Sequence, residues 1–253
     1  MVCANGEEAR TMDQGTSVDT AADDAAELIF FRKVKTAHDK LFGARGGPYN
    51  IDSVAYFAAA IESYQHAREH MRKAVRFDTR EALLHFSLDK ISIDGLVLEF
   101  GVFSGHTINI MADKLNHKMI YGFDSFKGLP EDWTTGAKAG AFAREGLPSV
   151  RENVQLVVGW FDDTLRTFLA SHPGNISFLH VDCDLYSSTR TVLTEARDRI
   201  VPGTVILFDE YFNYPDWKRH EYRAFQEFAY ENNIKYEYIG LVPAFEQVAA
   251  RIL

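Results

Sequence analysis

Ile176-Ser177-Phe178-Leu179-His180-Val181 runs straight into Asp182-Cys183-Asp184, and Thr204-Val205-Ile206-Leu207-Phe208 runs into Asp209-Glu210. Both runs are short, β-branched and aromatic, and each follows a Pro-Gly break, so they read as buried parallel strands. In an open α/β sheet the carboxyl ends of the strands border the ligand crevice. The acids just past these two strands therefore meet in one place. Four carboxylates there repel one another unless a cation or shared protons offset the charge, and a hard divalent cation on oxygen ligands is the simplest candidate.

From Gly95 onward strand and helix patterns alternate, which predicts a doubly wound, mostly parallel α/β sheet. Seven strands are expected: Leu96–Phe100, Met119–Phe123, Val154–Val158, Ile176–Val181, Thr204–Phe208, Tyr236–Leu241 and Gln247–Ile252. Helices are expected at His106–Leu115, Thr164–Ser171, Ser187–Ile200 and Trp217–Glu231. Before Gly95 apolar residues recur at helical spacing over Leu28–Leu41 and Ser53–Val75, divided by Gly46-Gly47-Pro48, and Asp78 starts a further helix through Ser87. The expected organisation is a disordered tail over 1–26, a helical N-terminal cap over 27–94 and a ligand-binding domain over 95–253. Phe126 to Ser149, with Gly128, Gly136, Gly140 and Gly146, shows no period and reads as a lid.

The chain has 253 residues, 46% hydrophobic and 25% charged, with formal net charge −9. No Lys/Arg run offsets that charge, which argues against nucleic acid and anionic membranes as partners. No apolar run approaches the roughly 18 residues of a membrane span. Of the two cysteines, Cys3 lies in the expected tail and Cys183 between two acids, so no structural disulfide and a reducing, cytoplasmic setting are expected. Cys183 faces away from its neighbours if the strand persists, as a packed thiol does.

Leu96–Phe100 leads into Gly101-Val102-Phe103-Ser104-Gly105-His106-Thr107, a glycine turn opening a helix, where a ligand can approach backbone N–H groups. The middle glycine of G-x-G-x-x-G is missing, which disfavours a nicotinamide dinucleotide. Glu99 suits a cationic ligand group instead. Asp124 ends the second strand, the usual position for a carboxylate that takes ribose hydroxyls. Together the two acids mark a nucleoside site.

The stretches Val97-Leu98-Glu99-Phe100-Gly101, Gly122-Phe123-Asp124-Ser125-Phe126-Lys127-Gly128 and Gly159-Trp160-Phe161-Asp162-Asp163 resemble class I S-adenosylmethionine-dependent methyltransferases. With His180-Val181-Asp182-Cys183-Asp184-Leu185-Tyr186 and Pro202-Gly203 before Asp209, the likeness is to the macrocin O-methyltransferase family, which methylates sugar hydroxyls of natural products. The resemblance implies a last strand that runs antiparallel, and S-adenosylmethionine as cofactor. It puts Glu99, Gly101 and Gly105 around the methionine moiety, Asp124 on the ribose and Gly159, Trp160 and Phe161 around the adenine. Ser104, Thr107, Ser125, Phe126 and Asp182 complete the implied cofactor set. It further implies Mg²⁺ or another divalent cation on Asp182, Asp209 and Glu210, with Asp184 as general base. Glu210 departs from the family pattern, which has a second Asp there.

The implied partner is a small hydroxylated acceptor, and a homo-oligomer is compatible with the sequence. A catechol-type methyltransferase and a non-catalytic S-adenosylmethionine-binding protein are the rival readings. His66-Ala67-Arg68-Glu69-His70 matches H-x-x-E-H but reads as a solvated helix face. Tyr211, Phe212, Tyr214 and Trp217 suit an acceptor pocket or core packing equally well. His106 and His220 are lesser candidates for the base.

Overall fold

The computed structural model describes Ile29, residues 32–36, Asp39, residues 51–134 and residues 136–253. By contacts the chain divides into two compact units, Met1–Tyr49 and Asn50–Leu253. In the first unit the described residues are helical, within the span Leu28–Leu41 expected to be a helix. The tail expected over residues 1–26 and the Gly46-Gly47-Pro48 break lie outside the described residues.

The second unit contains one mixed sheet. Its elements are α1 (Ile51–His70), β1 (Val75–Arg76), α2 (Arg80–Asp89), β2 (Leu96–Phe100), α3 (His106–Lys114), β3 (Ile120–Asp124) and β4 (Val154–Val158). They continue as α4 (Phe161–Ser171), β5 (Ile176–Val181), α5 (Tyr186–Glu195), β6 (Val205–Phe208), α6 (Glu221–Glu231), β7 (Tyr236–Leu241) and β8 (Val248–Ile252). The sheet order is β1-β7-β8-β6-β5-β2-β3-β4. All pairings are parallel except those of β8 with β6 and β7. Strand order reverses between β2 and β5, and that reversal opens a crevice at their carboxyl ends.

The seven expected strands are all present, and an eighth, β1, joins them. Val75 was expected to end a helix, but α1 stops at His70 and Val75–Arg76 pair with Gly240 and Leu241 at the sheet edge. A two-residue strand has no periodicity to reveal it. The helix expected from Asp78 begins at Arg80, because the Thr79 side chain caps it by accepting from Ala82 N at 3.1 Å. The helix expected over Trp217–Glu231 is broken at His220 (φ −111°, ψ −127°), so a short 3₁₀ turn at Trp217–Arg219 precedes α6.

The strand side chains alternate between two cores. Leu98, Phe100, Leu179, Val181, Ile206 and Phe208 pack with residues of α1, α4, α5 and α6. Val97, Phe178, Val205 and Leu207 pack with residues of α2 and α3. This alternation places Glu99 and His180, which are register partners, on the α2/α3 face. Cys183 joins the opposite core as a buried free thiol, the packing expected for it. Tyr211, Phe212, Tyr214 and Trp217 are core residues too, and the Tyr211 hydroxyl is hydrogen-bonded to that of Tyr238 at 2.5 Å.

His66, expected on a solvated face, instead sits half-buried against Trp217, Tyr222 and Tyr238, with ring centroids 5.6, 5.1 and 5.9 Å away. Burial, then the charges of His70 and Lys218, lower its pKa from 6.5 to about 4. A histidine whose folded pKa lies below its unfolded value costs stability as pH falls between the two, because the unfolded chain then binds the extra proton. His66→Phe, which keeps an aromatic ring and removes the titration, should gain stability relative to the wild type as pH is lowered from 7 to 4. Denaturation midpoints of both proteins across that range check this.

Gly101 explains how β2 and β5 come so close at the crevice. It has φ +95°, and a Cβ there would lie 1.7 Å from the Asp182 carbonyl oxygen. Gly101→Ala should therefore destabilise the fold by about 2–4 kcal/mol, the range of a strained backbone plus a packing clash. A urea melt measures the loss, and a change within 0.5 kcal/mol, as an order-of-magnitude bound for neutral surface changes, would contradict the close approach.

Candidate active site

At the carboxyl edge of β2, β3, β5 and β6 lies a cavity of about 330 Å³. Gly101, Asp124, Ser125, Trp160 and Phe161 line one part of it, and Asp182, Asp184, Asp209 and Glu210 another. The long loop from Phe126 to Ser149 supplies a wall through Leu129, Trp133 and Phe142, held by hydrogen bonds from Leu129 N to Ala141 O and from Trp133 N to Ala137 O, each 2.9 Å.

Asp124 shapes the glycine turn. Its Oδ2 accepts from the backbone N–H groups of Val102 (2.9 Å) and Phe103 (2.8 Å), and its Oδ1 from Phe126 N (2.7 Å). One carboxylate thereby ties the loop after β2 to the loop after β3. Gly105 caps α3 in left-handed conformation. Of the other residues expected to bind cofactor, Thr107 lines a smaller cavity of about 150 Å³ together with His180, Asp209 and Gln247. Glu99 is buried behind it, and Ser104, Gly105, Phe126 and Gly159 line neither cavity.

Glu99 Oε1 accepts from Thr107 Oγ1 at 2.6 Å and from His180 Nδ1 at 2.8 Å. His180 Nε2 points the other way, 3.9 Å from Asp209 Oδ1, beyond hydrogen-bond reach. Burial opposes a charge on His180, but the Asp209 and Glu99 carboxylates outweigh it and raise its pKa to about 10. Asp209 Oδ2 accepts from Arg80 Nη2 at 2.8 Å and from Gln247 Nε2 at 3.3 Å. Burial raises the Asp209 pKa, yet the charges of His180 and Arg80 reverse this and hold it below the usual carboxylate range.

Among the described residues no cation forms an ion pair with the other acids, although the His180 charge partly offsets the rise at Asp182. Burial and then Asp209 push Asp182 and Glu210 well above the ordinary range, and burial raises Asp184 to about 6. Ligand atoms of Asp182, Asp184 and Glu210 lie within 4.8 Å of one another, and so do those of His180, Asp182 and Asp209. Asp182 belongs to both groups. Asp184 reaches its place through a left-handed backbone (φ 61°) just past β5.

Two further residues hold this arrangement, and neither was expected. Arg80 begins α2 and reaches Asp209 from 129 residues away in sequence, where a lone Arg in a first helical turn carries no signal. Glu221, fully buried, accepts from Cys183 N (3.4 Å) and Glu210 N (3.2 Å), so one carboxylate joins the loop after β5 to the loop after β6. An acid at a helix start usually serves the helix dipole; the break at His220 turns this one inward. His180 was detectable, two residues before Asp182 on one strand face. His106 is exposed and 3.7 Å from Glu81, and His220 packs against Trp133 and Tyr214; neither lines the larger cavity.

Residues 98–211 match a family described as a methyltransferase domain. This stretch runs from β2 to the loop after β6, and over it the chain is similar to methyltransferase domains. Two curated relatives are the 8-demethyl-8-(2,3-dimethoxy-alpha-L-rhamnosyl)-tetracenomycin-C 4'-O-methyltransferase of Streptomyces olivaceus, 28% identical over 51% of this chain, and the demethyldecarbamoylnovobiocin O-methyltransferase of Streptomyces niveus, 29% identical over 53%. The matches span 58% and 60% of those two enzymes, little more than half their length. Among solved structures, the calicheamicin methyltransferase CalS11 aligns over 99% of both chains with TM-score 0.55 and 20% identity. The O-methyltransferase NovP aligns over 79% of this chain and 97% of its own, also with TM-score 0.55 and 20% identity. At such identity the likeness is one of fold. Among the described residues no helix is long and apolar enough to cross a membrane.

Glu221→Ala leaves the buried N–H groups of Cys183 and Glu210 without an acceptor, each costing about 1–3 kcal/mol. Partial relief of the acid repulsion offsets some of that. A net loss of about 1–3 kcal/mol is expected by urea denaturation, and Glu221→Gln, which keeps one oxygen acceptor, should lose less.

Proposed function

We propose that this chain transfers the methyl group of S-adenosylmethionine to a hydroxyl of a small molecule, a sugar or a glycosylated natural product, with a divalent cation at the acid cluster. The observation that carries the reading is the single cavity shared by Asp124 and the four acids of the β5 and β6 loops. The named activities of the curated relatives, O-methylation in tetracenomycin and novobiocin chemistry, support the acceptor class.

The residues fit both groups. Gly101 leaves backbone open at the cofactor end, while Trp160 and Phe161 offer apolar surface and Asp124, with three backbone bonds taken, keeps one of its roughly four lone-pair sites for a diol hydroxyl. At the other end Asp182 and Glu210 carry carboxylates whose pKa values are raised by burial and mutual repulsion, and Glu210 Oε2 has no hydrogen-bond partner among the described residues. Such a set is stabilised by a cation. Asp182, Asp209 and Glu210 would hold it. S-adenosylmethionine supplies an electrophilic methyl on a sulfonium, and a divalent cation lowers the pKa of a hydroxyl beside it.

Asp184 acts as the general base in this scheme. At about 6 its pKa leaves it mainly ionised at neutral pH and still basic enough to accept the acceptor's proton. Leu129, Trp133 and Phe142 exclude water and give the acceptor an apolar wall. Arg80 and Glu221 hold Asp209 and the two acid loops in register.

The acids should fail differently. Asp182→Asn should lose divalent-cation affinity in calorimetry, because a neutral amide replaces an anionic oxygen. Asp184→Asn should keep cation and S-adenosylhomocysteine binding and lose roughly 10²–10⁴ in rate, the span of a missing general base. Release of S-adenosylhomocysteine with sugar and phenolic acceptors, with and without EDTA, measures the rate. Activity that survives EDTA unchanged would remove the cation from the scheme.

Asp124→Ala should weaken S-adenosylhomocysteine binding by about 1–3 kcal/mol, the usual loss for a charged hydrogen-bond partner. Equal binding by the mutant in calorimetry would place the nucleoside elsewhere.

A further inference from the structure

We infer that His180 is itself a cation ligand, and that the β5 and β6 loops form a His180–Asp182–Asp209 site selective for a first-row transition ion such as Mn²⁺ over Mg²⁺. This rests on the cation reading above and specifies its ligands and metal class.

Three observations carry it. First, one atom each of His180, Asp182 and Asp209 lie within 4.8 Å of one another. For metal–ligand distances of about 2.1 Å, two ligands on one ion are separated by up to roughly 4.2 Å, and His180 Nε2 is 3.9 Å from Asp209 Oδ1. Second, Nε2 is buried with no hydrogen-bond partner among the described residues, on a side chain only 1% exposed that borders the smaller cavity. A plain structural histidine in such a core normally satisfies both ring nitrogens. Third, Nδ1 donates to the Glu99 carboxylate at 2.8 Å. Metal-bound histidines usually donate their second ring N–H to a carboxylate or carbonyl, which fixes the tautomer and aims the other nitrogen at the ion.

The partners of Asp209 agree with this assignment. Arg80 and Gln247 both engage Oδ2, so Oδ1 is the oxygen turned towards His180. The ion would displace the proton on Nε2, leaving a neutral imidazole ligand with its Nδ1–H still on Glu99. Imidazole nitrogen with two carboxylates suits Mn²⁺, Fe²⁺ or Zn²⁺, whereas Mg²⁺ prefers oxygen alone.

Pulsed EPR of the full chain loaded with Mn²⁺ tests the idea directly, because a bound imidazole couples its ¹⁴N to the electron spin. Expected are a ¹⁴N coupling in the wild type, its persistence in His106→Gln, whose ring borders the same small cavity, and its loss in His180→Gln. Competition should show Mn²⁺ preferred to Mg²⁺ by at least about tenfold in the wild type, and by little in His180→Gln. The wild-type and His106→Gln spectra decide even where His180→Gln fails to fold. Bound Mn²⁺ without ¹⁴N coupling overturns the inference and leaves a carboxylate-held cation standing, and coupling lost in His106→Gln overturns it in favour of the His106 ring. No binding of either ion overturns both.

Discussion

Six carboxylates, those of Glu99, Asp182, Asp184, Asp209, Glu210 and Glu221, meet at one edge of the sheet, and the rest of the site is arranged to make that tolerable. Two internal cations answer them. His180 lies between Glu99 and Asp209, and Arg80 reaches Asp209 from the start of α2. These pairings keep Asp209 ionised in spite of its burial. Asp182, Asp184, Glu210 and Glu221 form no ion pair among the described residues, and burial raises the pKa of each. Charge concentrated at this cost in folding energy is what a site for a cation or a proton transfer requires.

The backbone supplies the convergence. Period-2 alternation puts Glu99 and His180 opposite one another on β2 and β5, and Asp182 and Asp209 follow just past the ends of β5 and β6. Gly101 lets β2 end against the Asp182 carbonyl, which a side chain would block. Asp124 then ties the glycine turn to the loop after β3 through three backbone N–H groups, and Glu221 clasps the loops after β5 and β6 through two more. Two carboxylates thus act on backbone while the acids between them remain available to a ligand.

What could be read from the chain itself follows from how local each signal is. Strands such as Ile176–Val181 announce themselves by composition and punctuation, and the acids after them inherit their position from strand geometry. The acid cluster and the place of Asp124 at the end of β3 were therefore legible, whereas the three backbone bonds Asp124 accepts were not. β1 was not, since two residues form a strand only because β7 offers an open edge. Arg80 and Glu221 were not legible either, because each lies in the first turn of a helix, where charged residues are ordinary, and their roles depend on what lies across the sheet. His66 shows the converse error. Its charged neighbours in sequence suggested a solvated face, while Trp217, Tyr222 and Tyr238, all distant in sequence, bury it.

Asp209 joins these strands of argument, for its two oxygens face different chemistry. Oδ2 is taken by Arg80 and Gln247, both anchored in the fold, so it serves to hold the loop after β6 in place. Oδ1 is left towards His180 and the cavity. A carboxylate split in this way is pre-oriented by Arg80 at the start of α2 and by Gln247 just before β8, so less side-chain entropy is lost when a ligand arrives. The same division recurs at Glu99, where Oε1 receives both Thr107 and His180 while Oε2 has no partner among the described residues. In both acids one oxygen belongs to the scaffold; the other borders the cavities at Asp209, whereas at Glu99 it stays buried beneath them.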